Sequence, residues 1–190
     1  MDVLEAFLIA LTGLWLFLPA MLPNSAAVLF GGGTPVDFGK SWKGKRILGD
    51  GKTWKGLIGG VGSGIALGIV QMGTASYFGD ANLWGFGTFD SGIVIIVTLA
   101  IGALLGDMMG SFIKRRLDFE RGSNVPILDQ YDFLIGALLL VGIANFTWLY
   151  NQYFQGWQLL ALIFILAITP VLHRVVNIIG YRLGQKEVPW

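Results

Sequence analysis

Every one of the 13 Lys and Arg residues falls on one side of a five-span hydropathy pattern. Apolar stretches cover 3–30, 55–78, 91–113, 133–149 and 157–179. A helix needs about 17–25 such residues to cross a hydrocarbon core of about 30 Å. The first connection carries Lys40, Lys43, Lys45, Arg46, Lys52 and Lys55. The third carries Lys114, Arg115, Arg116 and Arg121, and the C-terminal end carries Arg174, Arg182 and Lys186. The second (79–90) and fourth (150–156) carry none. The positive-inside rule then predicts an all-α integral membrane protein with five transmembrane helices. Its N-terminus lies outside, and two long loops, about 31–54 and 114–128, face the cytoplasm.

A mean hydropathy of +0.67 agrees with that class. With 190 residues consumed by five spans, the chain reads as a single transmembrane catalytic domain, 1–190. Any chemistry must use the loops and the inner helix ends. The absence of Cys excludes disulfides, thiolate metal sites and cysteine nucleophiles. The first span is too long for a signal-peptide core and lacks a basic segment before it, so it reads as a retained helix. Trp84, Trp148 and Trp157 fall near the outer ends of spans, as an interfacial aromatic belt would. No β pattern is evident.

Gly56, Gly60, Gly64 and Gly68 recur every four residues in the second span, and Gly102, Gly106 and Gly110 in the third. Small residues at this spacing let helix backbones approach in lipid. They serve packing within the chain or a homodimer seam equally well. Gly106 and Gly110 also clear space beside Asp107. Pro19 and Pro23 interrupt the first span just before Asn24 and Ser25. That pattern suits either a broken inner end facing a polar cavity or a simple helix end.

Asp107 lies inside the third span, where a carboxylate is expensive unless paired or solvated and is a functional-site candidate by default. Asp129 and Asp132 open the fourth span on one helix face. Such a pair can complement a positive helix N-terminus, or hold a divalent cation whose shell is completed by water and phosphate. Ser111 and Lys114 share a helix face with Asp107, and Arg115 follows. Lys52, Thr53, Lys55 and Gly56 stand at the start of the second span, where cations, a hydroxyl and free backbone N–H groups suit a phosphate. Lys40, Lys43, Lys45, Arg182 and Lys186 suit anionic membrane lipids. The conjunction points to metal-assisted phosphoryl or nucleotidyl transfer to a lipid. Nothing calls for nucleic acid. His173, the sole His, reads as an interfacial packing residue beside Arg174. A small cation-binding transporter or channel is the competing class, although the charges avoid the midplane such a protein would use.

Gly106-Asp107, then Ser111-x-x-Lys114-Arg115, then Pro126-x-x-Asp129-x-x-Asp132 resembles the C-terminal signature of the CTP-dependent phosphatidate cytidylyltransferases. Lys52-Thr53-Trp54-x-Gly56 resembles their upstream element, with Lys55 where that element is acidic. Gly49-Asp50-Gly51-Lys52-Thr53 and Pro19-x-x-x-Pro23-Asn24 are similar to the archaeal branch, the CDP-archaeol synthases. The segment 120–126 departs from the bacterial pattern and favours that branch. The resemblance implies CTP and an ether-lipid phosphate, 2,3-di-O-geranylgeranylglyceryl phosphate, as substrates, with CDP-archaeol and pyrophosphate as products. It implies Mg²⁺ on Asp107, Asp129 and Asp132, and phosphate contacts from Lys52, Thr53, Lys55, Lys114 and Arg115. Asn24 and Ser111 would be polar positioners, at an active site on the cytoplasmic side of the cell membrane.

Overall fold

The computed structural model describes residues 1–78, 81–119, 123 and 125–184. Arg121 and Lys186, expected among the basic residues, lie outside them, as does most of the segment 120–124. The helices are α1 (Val3–Leu29), α2 (Trp54–Thr74), the short α3 (Ala81–Trp84), α4 (Phe89–Arg116), α5 (Pro126–Ala144), α6 (Phe146–Tyr153) and α7 (Leu159–Arg182). Of these, α1, α2, α4, α5 and α7 are long and apolar enough to cross a membrane. They form one bundle around Leu16, Phe17, Leu99, Ala103, Ala137 and Ile165.

The fourth span begins seven residues and ends five residues earlier than hydropathy predicts. Pro126, whose missing N–H costs nothing at a helix start, opens α5. Asn145 ends it and caps α6 by accepting from the Trp148 N–H at 3.2 Å. Trp148 therefore belongs to α6, just past the end of the fourth span, packed against Phe86 and Tyr153. A second correction concerns β structure. The first loop holds a two-residue antiparallel hairpin, Ser41–Trp42 with Lys45–Arg46. Lys43 and Gly44, at φ 52° and 76°, supply the left-handed pair that such a tight turn requires.

The glycine faces are spent on helix contacts within the chain. A Cβ on Gly60 would lie 2.7 Å from the Pro23 carbonyl oxygen, and one on Gly64 2.6 Å from that of Pro19. Along the α4–α5 seam a Cβ on Gly106 would collide with the Asp132 carbonyl oxygen, and one on Gly136 with Gly102. The prolines do not break α1, which is helical through both. Pro19 cannot donate to the Trp15 carbonyl, and that oxygen instead accepts from the Gln71 side-chain amide at 2.6 Å. Likewise Pro170 leaves the Leu166 carbonyl to accept from the Tyr131 hydroxyl at 3.1 Å. Buried helix-breaking prolines are tolerated because neighbouring helices satisfy the freed oxygens.

Candidate active site

The first loop is closed at its neck by backbone bonds: Val36 N–H to the Lys52 carbonyl at 2.8 Å and Trp54 N–H to the Thr34 carbonyl at 3.1 Å. Lys52 and Thr53 are thereby fixed where the loop enters α2. Above the neck, one carboxylate organises the rest. Asp37 accepts from the backbone N–H groups of Gly39, Leu48 and Gly49, each at 3.0 Å, and from Arg46 Nη2 at 2.9 Å. Burial alone would raise its pKa, but the Arg46 guanidinium and those three N–H groups prevail and hold it well below the usual carboxylate range. Hydrogen bonds to Asp37 and Asp50, the latter at 2.7 Å, in turn push the Arg46 pKa up. Arg116, at the end of α4, donates to the carbonyls of Trp42, Lys45 and Arg46 and lies against the Trp42 and Phe112 rings. Lys45 pairs with Asp118. The loop is thus fastened to α4.

Beneath it, at the bundle end that carries the basic residues, lies a cavity of about 1100 Å³. Its polar wall includes Asn24, Asp50, Lys52, Thr53, Asp107 and Asp129, while Leu22, Leu57, Leu104, Met108, Leu172 and Val176 supply an aliphatic wall. Lys52 Nζ is paired with Asp107 Oδ2, and Lys114 Nζ with Asp129 Oδ1 at 2.6 Å. Asp129 Oδ2 also accepts from the Val125 N–H at 3.0 Å. Asp132 is 8 % exposed and sits against Gly110, where a Cβ would collide with its carboxylate. Among the described residues it accepts one hydrogen bond, from the Phe133 N–H at 2.6 Å. Its charged neighbours are Asp107, Lys52 and Asp129. Asn24 Oδ1 is buried with no hydrogen-bond partner among the described residues.

The expected residues are brought together unequally. Asn24, Lys52, Thr53, Gly56, Asp107 and Asp129 line the cavity. The Thr53 hydroxyl, expected to meet phosphate, caps α2 by accepting from the Gly56 N–H at 3.1 Å, which spends that N–H and leaves the hydroxyl its hydrogen to donate. Lys55 is exposed beside Gly33. Arg115 bonds the Phe119 carbonyl, and Ser111 is buried within α4. None of these three is part of the cavity wall, nor are Lys114 and Asp132, which adjoin it through Asp129 and Asp107. Among the described residues, no three acidic or imidazole groups are already gathered as a metal-holding cluster.

Sequence reasoning gave no site role to Asp37, Arg46, Asp50, Arg116, His173 or Asn177. Asp37-Phe38-Gly39 carried a usable signal, since an Asp two residues before a Gly commonly bonds that N–H in an Asx turn. His173 lines the cavity, its Nδ1 3.1 Å from Asn177 Nδ2. Its spacing from Thr169 and Asn177 placed all three on one helix face.

A family model described as CarS-like CDP-archaeol synthase matches residues 6–190. The CDP-archaeol synthase of Methanocorpusculum labreanum is 48% identical over 180 residues, covering 91% of this chain and 99% of its own. That of Archaeoglobus fulgidus is 47% identical over 178 residues, covering 93% and 96%. A solved structure of an intramembrane enzyme for archaeal membrane lipids biosynthesis is 38% identical, with a TM-score of 0.63 over 93% of this chain and 95% of that one.

Proposed function

From the premise that the chain belongs to the CDP-archaeol synthase family, we propose that its reaction takes place at the polar wall of the cavity, on the cytoplasmic side of the cell membrane. The enzyme transfers a cytidylyl group from CTP to an ether-lipid phosphate, giving CDP-archaeol and pyrophosphate. The acceptor we assign is 2,3-di-O-geranylgeranylglyceryl phosphate. One of its phosphate oxygens attacks the α-phosphorus of CTP. The new P–O bond forms as the bond to the β-phosphate bridging oxygen breaks, and pyrophosphate carries away the electron pair. A phosphomonoester is already ionised near neutral pH, so no strong base is needed. Alignment and charge neutralisation supply the rate.

One observation carries this assignment: two carboxylates, each held by a lysine ammonium, border a cavity whose remaining lining is largely aliphatic. Lys52 and Lys114 are placed to exchange carboxylate for phosphate when a triphosphate enters. Asp107, Asp129 and Asp132 fit Mg²⁺ by donor chemistry, because hard oxygen ligands suit that ion and Asp132 is buried with no direct ion pair among the described residues. Bound there, Mg²⁺ would neutralise charge gathering on pyrophosphate. Asn24 offers a polar contact from α1. Since the glycine faces are used inside the chain, a homodimer would use other surfaces.

Purified protein in detergent, given labelled CTP, Mg²⁺ and the lipid phosphate, should form labelled CDP-lipid. Chelation should stop the reaction and added Mg²⁺ restore it. Failure with several lipid phosphates would overturn the substrate assignment, and turnover in chelator would overturn the metal. Orientation is testable because the chain has no Cys. A Lys43→Cys protein in intact cells should resist an impermeant thiol reagent until the membrane is opened; labelling from outside would reverse the topology.

A further inference from the structure

Among the described residues, three carboxylates stand in the cavity wall: Asp50, Asp107 and Asp129. The last two are held by lysine ammonium groups, which can change partners. Asp50 is held instead by Arg46, Nη1 to Oδ1 at 2.7 Å. Arg46 is not free to follow a phosphate, because its Nη2 and Nε are committed to Asp37 at the centre of the loop. Asp50 is therefore a fixed acceptor, with its side chain 60% exposed, in the wall of a chamber that receives a polyanion. Its charge repels the phosphates of that substrate. A carboxylate oxygen so placed takes an N–H or O–H donor, and a nucleotide carries its donors at the nucleoside end.

The next residue points the same way. Gly51 lines the same wall, yet a Cβ there would meet nothing within 4 Å, and its φ lies outside the left-handed region. Neither packing nor backbone conformation asks for glycine at this position, in contrast to Gly56, Gly60 and Gly64. A bare backbone of this kind suits the close approach of a ligand. Lys52 follows at once. Asp50, Gly51 and Lys52 thus run as acceptor, open backbone and ammonium along one stretch of wall, its two ends at most about 7 Å apart. That order suits one nucleotide laid along it, with phosphate at Lys52 and base at Asp50. Cytosine carries an amino donor at its 4-position, where uracil carries an acceptor oxygen. We propose that Asp50, fixed by Arg46, accepts a hydrogen bond from the cytosine 4-amino group of CTP laid across Gly51, and so selects CTP against UTP. This rests on the cytidylyl transfer assigned above.

Values of kcat/KM measured separately for CTP, UTP and dCTP test it. Asp50→Asn should cost CTP severalfold, since a neutral acceptor replaces a charged one. It should also admit UTP, because the amide can turn a donor toward the uracil oxygen. The preference for CTP over UTP should fall about tenfold or more. The loss with dCTP should equal that with CTP, because the sugar is not what Asp50 reads. Gly51→Ala should raise KM for CTP severalfold at an unchanged melting temperature. If D50N does not purify folded, D50S, which also lacks the charge, carries the same ratio. Equal losses for CTP and UTP would reduce Asp50 to a part of the loop and overturn the assignment. A loss with CTP that dCTP escapes would give the carboxylate to the 2′-hydroxyl instead, and so overturn it too. Wild-type KM in G51A, or an unchanged preference in D50N, would do the same. Wild-type CDP-lipid formation from CTP in the same assay keeps these results separate from failure of the transfer reading itself.

Discussion

Asp37 in the first loop and Asp132 in the α4–α5 seam are both nearly buried carboxylates, 6% and 8% exposed, yet their surroundings differ in kind. Asp37 is saturated by three backbone N–H groups and a guanidinium, none of which can leave without unfolding the loop. Among the described residues, Asp132 has one hydrogen bond, from its own neighbour, and shares its surroundings with two further acids and Lys52. Those two acids, Asp107 and Asp129, are matched by lysine side chains, which are long, rotatable and able to change partners. Saturation by backbone marks a structural acid. Provisional pairing beside a cavity marks one kept for a ligand.

Four substitutions press on that contrast. Asp107→Asn and Asp132→Asn should each lower turnover roughly a thousandfold or more at any Mg²⁺ concentration, because several kcal/mol of charge stabilisation is lost. Both proteins should still melt near the wild-type temperature in detergent. A variant that keeps its rate would remove that acid from the site. Gly110→Ala drives a methyl into the Asp132 carboxylate and should cost about a hundredfold in rate, the order expected for a displacement near 1 Å. Wild-type activity there would show that Asp132 need not hold its position. Lys114→Ala should raise KM for CTP about tenfold, and an unchanged KM and rate would exclude it from phosphate contact.

The smallest effect on catalysis belongs to the other region. Asp37→Asn should weaken folding by about 2 kcal/mol, read from thermal or denaturant melting, with turnover of the folded fraction reduced severalfold at most. A carboxylate whose pKa is depressed by folding stabilises the protein fully above its unfolded value of about 3.9. That advantage fades as pH falls below this point and is gone below the folded pKa. The stability gap between wild type and D37N should therefore be flat from about pH 5 to 8 and narrow under stronger acid. A gap that widened in acid would contradict the assignment, and loss of turnover as severe as in D132N would erase the distinction between the two carboxylates.

Hydropathy and charge revealed the five spans and the basic end, because length and one-sided cations are properties of the chain itself. They misplaced α5, since Asp129 and Asp132 count against a span in any hydropathy window although the helix runs straight through them. That Asp107, Lys114 and Asp129 gather at one end was legible from spacing on helix faces, and Lys52 from its place at the start of the second span. Arg115 and Lys55 carry the same charge, and only the packing of α4 and the loop shows that they stand outside the cavity wall. The roles of Asp37 and Arg116 depend on partners brought close by folding: Arg116 reaches carbonyls some seventy positions earlier in the chain. His173 reads as interfacial packing because its neighbour in sequence is Arg174; only the fold brings it to the cavity wall and beside Asn177.

The two prolines at Pro19 and Pro170 have a mechanical consequence. The hydrogen-bond ladder of α1 is interrupted at Pro19 and again at Pro23, and that of α7 at Pro170; the oxygens freed by Pro19 and Pro170 are tethered sideways, to Gln71 and to Tyr131. Stress entering the upper half of either rod is therefore handed across to α2 or α5 before it reaches the lower half. The two rods that flank the reaction chamber are jointed beams braced by their neighbours.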